Sequence, residues 1–276
     1  MDFSLDNLLY KKNFYIAMQY KEYLQRHPNA TFLRKCWCVC KYWIINKKNG
    51  RFVGKILTDR EIEQKICKHK IISFDIFDTL LLRPYEKPTD LFYEIGKYYG
   101  DENFYYARIR AERKAREKFY RQEEVTFDQI YEEIEEKYKG FYNKELDWER
   151  KVLYKNEEVN KLFRYALDNK KKIVICSDMY LPLKFLMQVL HLNGYEGISD
   201  YYISSEYMKT KASGNLFRCM VDKLEISPEH ILHIGDNTWS DGNAYRKYGI
   251  DYVGIYEHIK WGYVGSPNNI KSAREG

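Results

Sequence analysis

The sequence predicts an α/β protein: a parallel sheet with helices on both faces, a long helical insertion and an N-terminal helical extension. Three observations predict it. From residue 172 onward, short apolar runs alternate with helical stretches. An isolated apolar run, IISFDIF at 71–77, has the composition of a central strand. Between them, 85–170 reads as helix almost throughout. Strands alternating with helices argue for a parallel sheet covered on both sides.

The elements follow in order. In 31–46, Leu33, Cys36, Trp37, Cys40, Trp43 and Ile44 fall at helical spacing, with Thr31 as a possible N-cap. Trp37 and Trp43 among Lys35, Lys41, Lys47 and Lys48 would suit an acidic membrane surface. The small cysteines on the stripe favour docking against the core or a protein partner. Asn49-Gly50 marks a turn, and a second helix is expected over 58–68, starting near Thr58 or Asp59. The run 71–77 ends in a polar turn before Pro84. Helices are expected near 88–99, 103–121, 127–138 and 144–168, the third opened by a Thr126/Gln129 capping box. In the last, Leu146, Val152, Leu153, Val159, Leu162, Phe163, Ala166 and Leu167 form one apolar stripe. The later strands are 172–177, 201–205, 231–236 and 251–256, with helices near 181–193, 213–224 and 239–248. The expected divisions are an extension over 1–70, a core over 71–84 and 166–260, an insertion over 85–165 and a tail over 261–276.

Composition narrows the function. In 276 residues, 45% are hydrophobic and 31% charged, which permits a packed core and argues against wholesale disorder. The formal charge of +6 suits a phosphorylated substrate or an anionic surface and falls short of a nucleic-acid binder's basic stripe. The start, MDFSLDNLLYKK, has two acids before its first lysine and resembles no secretory or mitochondrial signal, so the expected location is cytoplasmic. The cluster Cys36, Cys38, Cys40 lacks the second ligand pair of a zinc site, even with Cys67 and His69 nearby; reduced, buried cysteines are expected.

Ligands of such sheets bind beyond the carboxyl ends of the strands. There the sequence places Asp75, then Asp78-Thr79; Ser177-Asp178; Lys211; and Gly235-Asp236-Asn237 with Asp241 five residues after Asp236. A carboxylate can attack phosphorus and form an acyl phosphate. Carboxylate and phosphoryl group repel, so a lysine and a divalent cation must neutralise the site. Asp236 and Asp241 are hard oxygen ligands of the kind Mg²⁺ prefers.

FDIFDTLL, ICSDM, the lysine before LF in KASGNLF, and HIGDNTWSD resemble the four motifs of the haloacid dehalogenase-like hydrolase superfamily, over about 71–256. The resemblance implies a Rossmann-like core with Asp75 as nucleophile, Ser177 as phosphoryl ligand and Lys211 as stabiliser of the intermediate. It implies Mg²⁺ held by Asp75, Asp236, Asp241 and the main-chain carbonyl of Phe77, with Thr79 and Asp178 near the phosphate. Asp75 to Ser177 spans 102 residues, against 34 from Ser177 to Lys211 and 25 from Lys211 to Asp236, so the spare length matches a helical cap inserted after the first motif. FDIFDTLL with SDMYLP further resembles a subgroup associated with polysaccharide biosynthesis, which hints at a sugar phosphate.

The sequence departs from the phosphatase pattern at one position. A second aspartate is expected two residues after the nucleophile, where Phe77 stands; Asp78 follows one residue late. Alternation along a strand places Phe77, and not Asp78, beside the leaving group, so Asp78 reads first as a turn residue. The alternatives are a leaving group that needs no proton, a cap residue in that role, 2-haloacid dehalogenation, or a binding or accessory role beside a glycosyltransferase. Lys209 competes with Lys211, and His233 reads as a packed core histidine.

Overall fold

The computed structural model describes Thr31 and residues 54–85, 87–256 and 259–263. The helix expected at 31–46, the cysteines of the CWCVC cluster and most of the C-terminal tail lie outside the described residues.

Among the described residues, the elements in chain order are first β1 (Gly54–Ile56), α1 (Asp59–Lys68), β2 (Ile71–Phe74) and β3 (Leu81–Leu82). Helices α2 (Asp90–Tyr98), α3 (Asn103–Lys118) and α4 (Phe127–Glu132), a 3₁₀ segment (Glu136–Phe141) and α5 (Tyr142–Val152) follow. The chain returns through β4 (Tyr154–Lys155) and α6 (Glu157–Asp168) to β5 (Lys172–Ser177), α7 (Leu183–Leu192), β6 (Ile198–Ile203) and the short α8 (Ser204–Tyr207). It finishes with α9 (Asn215–Leu224), β7 (Ile231–Gly235), α10 (Asn243–Tyr248), β8 (Asp251–Tyr256) and β9 (Ile259–Tyr263).

The sheet order is β1-β9-β8-β7-β2-β5-β6. The five strands from β8 to β6 are parallel, and β9 and β1 add antiparallel at one edge. The central strand β2 pairs β5 on one side and β7 on the other, so successive crossovers leave it in opposite directions. That reversal opens a crevice at the carboxyl edge.

The apolar runs are continuous because both faces are covered. Ile72, Phe74, Ile173, Ile175, Leu232 and Ile234 pack on one face with Val159, Leu162, Phe163 and Ala166 of α6 and with α7. Ile71, Val174, Cys176 and Ile231 pack on the other with Leu216, Phe217 and Met220 of α9 and Ala244 of α10. The period-2 alternation therefore also sends Ser73 and His233 toward the second face.

Local signals act as expected at two helix starts. Thr58 caps α1 in a capping box with Glu61, and Thr126 caps α4 in one with Gln129. Elsewhere the structure corrects the reading. The run 71–77 stops being a strand at Phe74. The helix expected over 144–168 is two helices: Leu153 is extended, β4 pairs with β3, and the Asn156 side chain accepts the Glu158 and Val159 N–H groups to start α6 afresh. The 127–138 helix stops at Glu132. Helix α6 packs on the sheet through Val159, Leu162, Phe163 and Ala166. Residues 54–56 form an edge strand within the expected helical extension, paired with β9 where the tail was expected to begin. Cys67 is exposed, not buried, whereas Cys176 is buried as expected.

The insertion between β3 and β4 is itself densely packed. Arg108 of α3 is fully buried, its Nε 3.0 and 2.9 Å from the two Glu145 oxygens, with Tyr131 Oη donating to Glu145 (2.7 Å). Its guanidinium lies 4.6 Å from the Phe92 ring and 5.1 Å from that of Tyr180, which follows β5. Among the described residues, no helix is long and apolar enough to cross a membrane.

Candidate active site

The carboxyl ends of β2, β5 and β7 and the loop after β6 bring the predicted residues together. Asp75 stands just past β2, its N–H donating to Ile234 O of the neighbouring strand (2.9 Å). The buried Lys211 ammonium lies 2.9 Å from Asp75 Oδ1 and 2.5 Å from Asp241 Oδ1. Lys209 instead reaches Glu123 of the insertion (3.5 Å).

Carboxylate oxygens of Asp75, Asp236 and Asp241 lie within 4.8 Å of one another. Burial, reinforced by Asp75 and Asp241, raises the Asp236 carboxyl well above its ordinary range. Asp241 goes the other way: burial opposes its charge, but Lys211 and the His233 contact outweigh it. Burial likewise opposes the charge of Lys211, yet Asp241, Asp75 and Asp178 hold its ammonium well above the ordinary lysine value. With all three ionised, the carboxylates would outnumber the one ammonium, and that repulsion is part of what raises Asp236. A hard divalent cation fits that donor set and would relieve the repulsion.

Asp241 is the most constrained member. It is completely buried, and its Oδ2 accepts the Asn237 N–H (2.9 Å). His233 Nε2 lies 3.1 Å from its Oδ1, and His233 Nδ1 lies 2.9 Å from Ser73 Oγ. His233 is thus a packed core residue that also braces a site carboxylate. Gly235 is required by contact: a Cβ there would stand 2.2 Å from Asp241 Oδ2. The Asn237 side chain accepts from Trp239 N–H and Ser240 N–H, closing the turn.

Ser177, at the last position of β5, is buried, and its hydroxyl has no hydrogen-bond partner among the described residues. A buried, unmatched hydroxyl carries a cost that a bound acceptor would remove. Asp178 is occupied elsewhere, since its carboxylate accepts the Lys211 N–H (2.6 Å) and Ala212 N–H (3.2 Å) and so fixes the lysine loop. Its carboxyl is pushed up to about 6, chiefly by burial. Thr79 is buried, and its hydroxyl donates to Asp236 Oδ1 at 3.4 Å.

Phe77 lies beyond the end of β2, so strand alternation does not extend to it. Because β2 ends at Phe74, the next residues form a tight turn in which Leu81 N–H donates to Ile76 O and Asp78 N–H to Leu81 O, both 2.8 Å. Phe77 is buried under the Arg83 guanidinium, 4.1 Å from its ring. Asp78 takes a left-handed conformation (φ 55°) and is exposed. Partial burial raises its carboxyl, Arg83 pulls it back, and Asp75 adds a smaller push; Asp236 senses its charge as well.

A doubly covered parallel sheet with an acid-rich, lysine-centred site at its carboxyl edge is the class that fold and site define. Residues 69–249, more than half of the chain, match the family described as haloacid dehalogenase-like hydrolase, and the chain belongs to that family. No curated protein sequence matches. Among solved structures, a HAD-family enzyme of Bacteroides thetaiotaomicron in complex with magnesium and inorganic phosphate is 16% identical, with 68% of this chain and 94% of that one covered at a TM-score of 0.50. A putative HAD hydrolase of Bacillus subtilis bound to magnesium is 14% identical, with coverages of 67% and 87% and a TM-score of 0.50. The L-2-haloacid dehalogenase of Xanthobacter autotrophicus is 12% identical, with coverages of 73% and 80% and a TM-score of 0.49. At these identities the likeness is one of fold.

Proposed function

We propose that the protein is a Mg²⁺-dependent phosphohydrolase that works through an aspartyl-phosphate intermediate on a small phosphorylated substrate. The observation that carries this reading is the meeting of Asp75, Lys211, Asp236 and Asp241 at one strand edge, beside the unmatched Ser177 hydroxyl. Asp75 attacks phosphorus, and the bond to the leaving-group oxygen breaks. Lys211 and Ser177 hold the phosphoryl oxygens, and water then cleaves the acyl phosphate to regenerate Asp75. Asp75, Asp236, Asp241 and the Phe77 carbonyl would hold the cation, which when bound supplies charge neutralisation at the phosphoryl group.

Asp78 is the candidate proton donor to the leaving group and later the base for water; what supports the role is its place in the turn just past Asp75 and its electrostatic coupling to Asp75 and Asp236. The insertion acts as a cap after the first motif and supplies substrate contacts. The subgroup resemblance supports sugar phosphates as the first substrates to try, in a polysaccharide-biosynthetic setting in the cytoplasm. Residues 31–46 would dock a protein partner.

The test is a panel of sugar phosphates, nucleotides and acyl phosphates, assayed with and without EDTA. Metal-dependent phosphate release that vanishes in Asp75→Asn is expected. Inactivity across the panel with no phosphoenzyme would favour a binding or accessory role. Metal-independent halide release from 2-haloacids would favour dehalogenation, which has no use for the Asp236/Asp241 pair.

A further inference from the structure

The loop that carries Lys211 is clamped from three directions. Asp178 takes the N–H groups of Lys211 and Ala212. Asn243 of α10 donates through Nδ2 to Lys211 O (3.0 Å) and Ala212 O (2.8 Å). Both belong to the core. The third clamp comes from the insertion, and it is a single side chain, Glu123.

Glu123 lies in the connection between α3 and α4. Its Oε2 accepts the Thr210 N–H (2.9 Å) and the Ser213 hydroxyl (2.6 Å), and its Oε1 accepts Asn215 Nδ2 (2.5 Å). Lys209 lies 3.5 Å from it. These partners flank Lys211 on both sides. The next residue, Glu124, accepts the Ser204 hydroxyl (2.9 Å), and Ser204 Oγ in turn accepts Met179 N–H (2.7 Å) in the segment after Ser177. Phe127 N–H donates to Tyr180 O (2.8 Å). Residues 123–127 thus lie across the loop that follows Ser177 and the loop that carries Lys211.

We propose that Glu123 is a positioning residue for Lys211, so that the seating of the insertion on the core and the placement of the site lysine are one coupled event. The physical argument is one of precision. Lys211 must keep its ammonium within hydrogen-bond reach of both Asp75 and Asp241, at the end of a long side chain on a loop. A shift of that loop by even about 1 Å would break one contact, and misplacement on this scale can cost about 10²-fold in rate. Four donors converging on one carboxylate stiffen the loop at Thr210, Ser213 and Asn215. An insertion lifted from the core would take that carboxylate away and leave the loop to its core contacts: those of Asp178 and Asn243, and the Lys247 ammonium on Ser213 O. Burial and charge agree: burial of Glu123 opposes ionisation, but its bonds to Ser213, Thr210 and Asn215 hold its carboxyl below the usual range.

The proposal rests on Lys211 being the site lysine, and its test separates the two ideas. Hydrogen exchange of the 205–216 region is followed in the wild type, Glu123→Ala, Glu123→Gln and the control Glu135→Gln, whose exposed pair with Arg110 lies elsewhere on the insertion. Glu123→Ala should raise exchange in this region and lower kcat by about 10–100-fold. Glu123→Gln keeps one acceptor oxygen and should recover much of both; Glu135→Gln should change neither. Affinity for inorganic phosphate with Mg²⁺ is a second readout and should weaken in Glu123→Ala. Unchanged exchange in Glu123→Ala, or raised exchange with unchanged kcat and phosphate affinity, would overturn the proposal. A wild type that neither turns over phosphate esters nor binds phosphate would refute the phosphohydrolase reading, and the coupling proposed for Lys211 with it, while exchange alone would still report whether Glu123 holds the loop.

Discussion

Gly235 gives the sharpest quantitative test of the site. A methyl group at this position would stand 2.2 Å from Asp241 Oδ2 and 2.5 Å from its Cγ. To reach even 3.0 Å, the oxygen must retreat by about 0.8 Å. Asp241 has nowhere to go, since Lys211, His233 and the Asn237 N–H hold it from three sides in full burial. Gly235→Ala should therefore cost about 1–3 kcal/mol, the usual scale of an overpacked core. That corresponds to a Tm fall of roughly 2–5 °C for a chain of this size. The larger effect should be on the cation. Metal–ligand distances tolerate only about ±0.2 Å, so the displaced carboxylate should lose Mg²⁺ affinity by about 100-fold or more. Calorimetric Mg²⁺ titration and thermal melts with and without Mg²⁺ measure the two effects separately. An alanine variant with wild-type Mg²⁺ affinity would refute the assignment of Asp241 as a ligand wedged against Gly235.

Three further outcomes are expected. Asp78→Asn should slow turnover by about 10²–10⁴-fold with poor leaving groups and much less with good ones, read as a change in leaving-group slope; equal losses across leaving groups would remove Asp78 from proton transfer. Glu145→Leu leaves Arg108 buried without its main counter-charge and should cost about 3–5 kcal/mol in denaturant unfolding, with Arg108→Met/Glu145→Leu recovering most of it; a cost below about 1 kcal/mol would show that the pair is solvated. Asp178, pushed up to about 6, should lose its clamp on the Lys211 N–H as pH falls below that value, so kcat should drop on the acid side and Asp178→Asn should abolish that limb. The sign for stability is opposite: because the folded-state value is raised, this carboxyl favours the fold below its unfolded value near 3.8 and the contribution fades as pH rises through about 6. A urea midpoint that fails to shift between wild type and Asp178→Asn over that window would contradict it.

The site was legible where chemistry demands residue types that packing does not. Acids at strand ends have little structural reason to recur, so Asp75, Asp236 and Asp241 stood out, and they converge. Ile76 and Phe77 hid the end of β2, because apolar side chains that enter the core from a turn extend a strand-like run without extending the strand. Leu153 similarly continued the helical stripe across a break made by the pairing of β3 with β4, a tertiary interaction that local periodicity does not carry. Glu123 gave no signal at all: an acid between Gln122 and Glu124 in a charged segment reads as a solvated face, and its partners are about 90 residues away. His233 was legible as buried, but its bond to Asp241 depends on the two faces of the sheet, which a period-2 count supplies only once the neighbouring strand is known.

The pairing of Leu81–Leu82 with Tyr154–Lys155 has a consequence for how such a chain can diversify. The points where the chain leaves the core and re-enters it are adjacent rungs of one small ladder, fastened further by Asn156 Nδ2 to Thr79 O (2.9 Å) and Tyr195 Oη to Leu80 O (2.7 Å). A segment of any length that begins and ends side by side can be exchanged there without stretching the sheet. The doorway is fixed, and the room behind it is replaceable: recombination at 83 and 153 could furnish a new binding wall beside the strand-end carboxylates, provided the incoming segment again supplies an acceptor where Glu123 meets the Lys211 loop.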